Sequence, residues 1–99
     1  MAISLAKTVQ GTAYTFYITT DLAAVLSGLV VVRESVYQST GHKTDGFVPI
    51  IARTEVITDS TTTASINTSY NNGDYTGAIA TAEAYLVASV AWYSGGSVV

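Results

Sequence analysis

Thr76-Gly-Ala-Ile-Ala-Thr-Ala-Glu-Ala-Tyr-Leu-Val-Ala-Ser-Val-Ala-Trp-Tyr93 is the longest apolar stretch of this 99-residue chain, and its reading decides the fold. Six alanines lie between Ala78 and Ala91; alanine is the best helix former and is depleted from strands. At helical spacing Ile79, Leu86 and Val90 share one face, while Thr81, Tyr85, Ser89 and the Trp92–Tyr93 pair form a second row. Gly95-Gly96 supplies a stop. Every even position from Ala78 to Trp92 is also apolar, so a strand competes, and it would turn residues 78–93 into part of an all-β sandwich. That is too long for an ordinary strand without a turn signal. We adopt the helix.

Upstream, the period is two. Ile3–Gln10 alternates weakly, and Ala13–Thr20 alternates well, with Tyr14, Phe16 and Ile18 on one face. Gly11-Thr12 between them predicts an N-terminal hairpin, although residues 1–10 also suit an extended arm. Thr20-Asp21 caps a predicted helical turn over Leu22–Leu26, ended by Ser27-Gly28. Leu29–Tyr37 and Phe47–Thr58 read as the strands of a second hairpin with a long polar loop. That pairing brings Arg33 or Glu34 near Arg53 and Glu55, and Pro49 assigns the latter strand to an edge or a bulge. Ala64–Tyr70 reads as a short strand stopped by Asn71-Asn-Gly-Asp74. Residues 94–99 make a short tail. The expected fold is one α+β domain over 1–99, a small mainly antiparallel sheet of two hairpins with one C-terminal Ala-rich helix.

Only 11% of residues are charged, against about 25% in an average globular chain. The remaining polar surface is hydroxyl, amide and phenol, which costs far less to cover than unpaired charge. Such a chain is built to have part of its surface covered by other protein. The net charge of −3, with four scattered cations (Lys7, Arg33, Lys43 and Arg53), argues against nucleic acid. No cysteine means no disulfide framework or thiolate site. Leu22–Val32 is interrupted and too short to span a bilayer. Met1–Lys7 lacks a basic region ahead of an apolar core, so the expectation is cytoplasmic synthesis without a signal peptide.

Candidate chemistry is sparse. His42 is the only histidine; as a base it needs Ser39 or Thr40 as nucleophile and a carboxylate to orient it. The seven carboxylates are dispersed and match no calcium loop; Asn71, Asn72 and Asp74 are explained by a turn. Glu83 falls at the edge of the apolar helix face, where it calls for a cation: Arg33, Arg53, Lys7 or one from a neighbouring subunit. Tyr70, Tyr75, Tyr85, Trp92 and Tyr93 cluster in the C-terminal third, as at protein interfaces and sugar platforms. Asn67-Thr-Ser69 matches a glycosylation sequon that turn chemistry also explains. No catalytic residue, metal or cofactor is expected.

Small, cysteine-free, poor in charge and rich in Thr, Ala, Val and Tyr, the chain resembles in overall character the small virion proteins of tailed bacteriophages, above all capsid cement (decoration) proteins. The resemblance is one of composition and transfers no residue roles. It implies a virion location and a non-enzymatic homo-oligomer, for instance a trimer, that clamps a larger shell or tail protein through strand addition and apolar contacts. On that expectation Ile3, Leu5 and Val9 form an arm, and Tyr85, Trp92 and Tyr93 contribute to a subunit interface. A tail or head–tail connector subunit is the structural alternative. A carbohydrate-binding module with an aromatic platform is the alternative of another class.

Overall fold

Two tight turns fold the N-terminal half of the chain back on itself twice. The structure, a computed structural model, describes residues 2–99. β1 (Ala2–Val9) and β2 (Thr12–Leu26) are joined through Gln10-Gly11. Both residues have positive φ, 51° and 81°, as a two-residue hairpin turn matched to strand twist requires. β2 then runs on to Leu26 and turns at Ser27-Gly28 into β3 (Leu29–Tyr37), with Leu26 opposite Leu29 and Leu22 opposite Val32. The predicted helical turn at Leu22–Leu26 is therefore strand. Its apolar residues are held by cross-strand pairing, and a bulge at Ala23 absorbs the break in alternation.

The long polar loop holds one helical turn, α1 (Thr40–Thr44), before β4 (Ile51–Ile57) pairs antiparallel with β3. Pro49 sits in the irregular approach to β4, and β4 is an edge strand. The sheet order is β4-β3-β2-β1-β5, antiparallel throughout, with β5 (Ser97–Val98) pairing with Ile3 and Ser4. Residues 2–9 are thus no arm. They are flanked by β2 on one side and by the C-terminal residues on the other, where Ala2 and Val99 exchange backbone hydrogen bonds of 3.2 and 2.8 Å.

Two helices cover one face of the sheet. Asp59 caps α2 (Ser60–Asn71) by accepting from the Thr62 amide at 2.9 Å. Residues 64–70 are helix and not strand: the Asp59 cap starts the helix and Ile66 anchors it on the sheet, while Thr68 and Asn67 donate to the Ala64 and Thr63 carbonyls. Only Thr63 and Ile66 of this helix are buried. Asp74 caps α3 (Tyr75–Ser89) through the Gly77 amide at 2.9 Å. The Ala-rich stretch is helical, as predicted, but its buried stripe is Ala78, Ala82, Glu83 and Leu86, one position round from the expected Ile79 face. The helix stops at an extended Val90, and Ala91–Tyr93 forms a 3₁₀ turn. The small alanines allow α3 to lie close on the sheet. The core joins Ile3, Leu5, Phe16, Ile18, Val30, Val32, Val36 and Ile57 of the strands to Ile66, Ala78, Ala82 and Leu86 of the helices and to Tyr93.

Candidate assembly surface

The strand pattern that fills the core leaves the other side of the sheet without a second layer. Opposite the buried positions stand Ala6, Thr8, Ala13 and Thr15, then Ala52, Thr54 and Val56, all exposed. The short dimension of the molecule, 19 Å, has room for the sheet and one layer of helices, each about 10–12 Å across. Among the described residues the charges at this face are Asp21 and Arg33, which pair at 2.7 Å, and Lys43, whose Nζ stands 5.6 Å from the ring centre of the open-face Tyr37. The result is a surface mostly of methyl, hydroxyl and phenol groups.

That surface meets an apolar edge. Phe47, Val48 and Ile50 are 59%, 81% and 54% exposed, and Ile51 and Val56 continue the strip onto β4. Phe47 packs its edge on the His42 ring at 4.9 Å, and with Gln38, Val48 and Ile50 they line a depression of about 300 Å³. On the helix side of β4, Arg53 and Glu55 lie two residues apart with Nη2 and Oε1 at 2.7 Å and side chains 25% and 23% exposed. The Arg53 guanidinium also lies 4.2 Å from the Trp92 ring centre, and its Nε has no hydrogen-bond partner.

Beneath this edge the sheet–helix interface holds two buried carboxyls. Glu34, on β3 opposite both Thr20 and Arg53, accepts a very short hydrogen bond from the Tyr93 hydroxyl. Glu83, reaching in from α3, accepts from the Thr20 hydroxyl at 2.5 Å. Among the described residues each has one oxygen without a partner. Burial raises both carboxyls above their ordinary pKa; the hydroxyl donor on each, and Arg53 beside Glu34, oppose the shift without cancelling it. Burial and the adjacent Glu34 carboxyl likewise push the Tyr93 phenol upward. None of Arg33, Arg53 and Lys7 pairs with Glu83; the hydroxyl of Thr20 on the facing strand bonds to it.

The sequence-predicted interface residues divide. Val9 is exposed, and Tyr85 and Trp92 are half-buried. Ile3, Leu5 and Tyr93 are wholly enclosed by the chain's own core, so they hold the fold together and present nothing to a partner. Trp92 is engaged too: Phe16 stacks parallel to it at 6.5 Å, and Lys7 lies 4.7 Å from its ring centre while donating to its carbonyl. The exposed Tyr70 and Tyr75 meet edge to face at 5.0 Å.

His42 Nδ1 stands 3.1 Å from Ser39 Oγ, and the same hydroxyl accepts from the His42 amide as the cap of α1. Among the described residues no carboxylate is bonded to the ring to orient it as a catalytic base. No cluster of three or more potential metal ligands occurs among the described residues. The expectation left out the strip from Phe47 to Val56, although its signals were legible: a charge-free run, Phe47-Val-Pro-Ile-Ile51, beside a proline that marks a sheet edge.

No protein-family model, no curated protein and no solved structure matches the chain.

Proposed function

We propose that this protein is a non-enzymatic assembly subunit, a small virion component of the capsid cement (decoration) kind, which associates with copies of itself and with a larger shell protein. The observation that carries the reading is the sheet face opposite α2 and α3, where the charges among the described residues are the Asp21–Arg33 ion pair and Lys43 over Tyr37. A surface that must stay in water is usually dressed with unpaired charge. This one carries threonines, alanines and valines, which can be covered without stranding an ion. The exposed Phe47, Val48 and Ile50 strengthen the reading, because adjacent large apolar side chains in water mark contact surfaces. The proposed partners are proteins; no nucleic acid or lipid enters the proposal.

Electron microscopy of the purified protein, alone and mixed with particles assembled without it, tests this. Extra density repeated at equivalent shell positions is the expected result. Closed rings at a particle vertex would assign it to the head–tail connector instead. Particles that stay bare, with the protein dispersed as single copies, would overturn the proposal.

A further inference from the structure

β4 reads Ile51-Ala-Arg-Thr-Glu-Val-Ile57 and is close to a palindrome in chemical character: two apolar residues, a cation, Thr54, an anion, two apolar residues. We propose that this strand is a two-fold self-interface: two copies join edge to edge, antiparallel, with Thr54 of one facing Thr54 of the other. The inference deepens the assembly reading and rests on it, adding which surface meets which and the symmetry of the contact.

Antiparallel pairing about Thr54 sets residue 51 against 57, 52 against 56 and 53 against 55. Arg53 of each copy then faces Glu55 of the other, and the intrachain pair on the same side of the sheet completes a square of alternating charge. On the open face Val56, 55% exposed, meets Ala52 of the second copy, and on the helix side Ile51, 38% exposed, falls opposite the buried Ile57. Slipping the pairing by two residues sets Arg53 against Arg53, or Glu55 against Glu55. A one-residue slip puts helix-side positions opposite open-face positions. One register is therefore favoured by charge and by pleat together.

The backbone is ready for this. β4 pairs with β3 over all seven residues without a register shift and contains no proline or glycine. Its outer side is unpaired among the described residues. Sheet edges that avoid partners carry repelling charge, proline or a bulge; here the two charges attract when the strand meets itself. The opposite edge of the sheet is partly capped by β5. Pairing two β4 strands yields one continuous sheet, five strands from each copy, with α2 and α3 of both copies on one side and the charge-poor face on the other. A closed two-fold contact makes a dimer, not the trimer implied by resemblance.

The chain has no cysteine, so Thr54→Cys provides a clean proximity test. Mild oxidation, or a short bifunctional thiol reagent, should convert most of that variant into a covalent dimer, while Thr15→Cys, on the same face but on β2, should stay uncoupled. Thr54→Lys, at an exposed position, should raise the dimer dissociation constant by about ten-fold or more in sedimentation equilibrium without changing the circular dichroism. Arg53→Glu should weaken the dimer similarly, and the swapped double variant Arg53→Glu/Glu55→Arg should restore it. An oligomer of the native chain that ignores all of these changes would overturn the β4 contact and leave the assembly reading standing. A native chain that stays single throughout the micromolar range would overturn both.

Discussion

Glu34 and Glu83 are where the fold gives up stability. Each carboxyl is enclosed between sheet and helices with one hydroxyl donor and one bare oxygen, an arrangement that favours the neutral acid. With folded pKa values raised above the usual carboxylate range, the folded state holds protons that the unfolded chain has already released. Their contribution is fully present below the unfolded pKa and is lost as pH rises through the folded one. Thermal unfolding followed from pH 4.5 to 8 should give a Tm that declines with pH, and Glu83→Gln should raise the Tm at pH 8 and flatten the slope. A Tm that climbs over that range would contradict the account. Tyr93→Phe alone should cost about 1–3 kcal/mol by removing the one donor to Glu34, and adding Glu34→Leu should recover much of it. At this scale the sequence exposed the cost of Glu83 but not its partner. Thr20 is 63 residues away along the chain and meets Glu83 only because α3 crosses β2.

Among the elements, β1 and α3 carry the architecture. Deleting residues 2–10 removes Ile3 and Leu5 from the core and exposes the β2 edge, so the truncated chain should lose its cooperative unfolding transition; a folded, soluble product would show that β1 is dispensable after all. Leu86→Ala on α3 should cost about 2–5 kcal/mol, read by denaturant unfolding, because a fully buried side chain leaves a cavity between helix and sheet. Asp74→Ala, which strips the α3 cap, should cost about 1 kcal/mol. The two hairpins, the edge position of β4 and the Ala-rich helix were legible because alternation, Pro49 and alanine content are local signals. The segment 22–26 was misread because an apolar run beside a cap-like Asp21 looks the same in a helical turn as in a strand closed by Ser27-Gly28. The segment 64–70 was misread because one buried isoleucine gives no period to follow.

For the whole molecule the governing feature is asymmetry: helices on one face, methyl and hydroxyl groups on the other, and an edge strand whose charges complement its own image. Composition shows that charge is sparse; which face lacks it follows only from the strand registers. Of the aromatic residues expected at a subunit interface, Tyr93 is buried in the core and Trp92 lies at its margin, closing the end of the sheet over Phe16 and Arg53. Sedimentation equilibrium on the untagged native chain is the most direct test of whether this outer surface is made to lie against protein. The account predicts a mass that rises with concentration to twice the 10.3 kDa chain or a higher multiple. A mass fixed at 10.3 kDa across the micromolar range would contradict it.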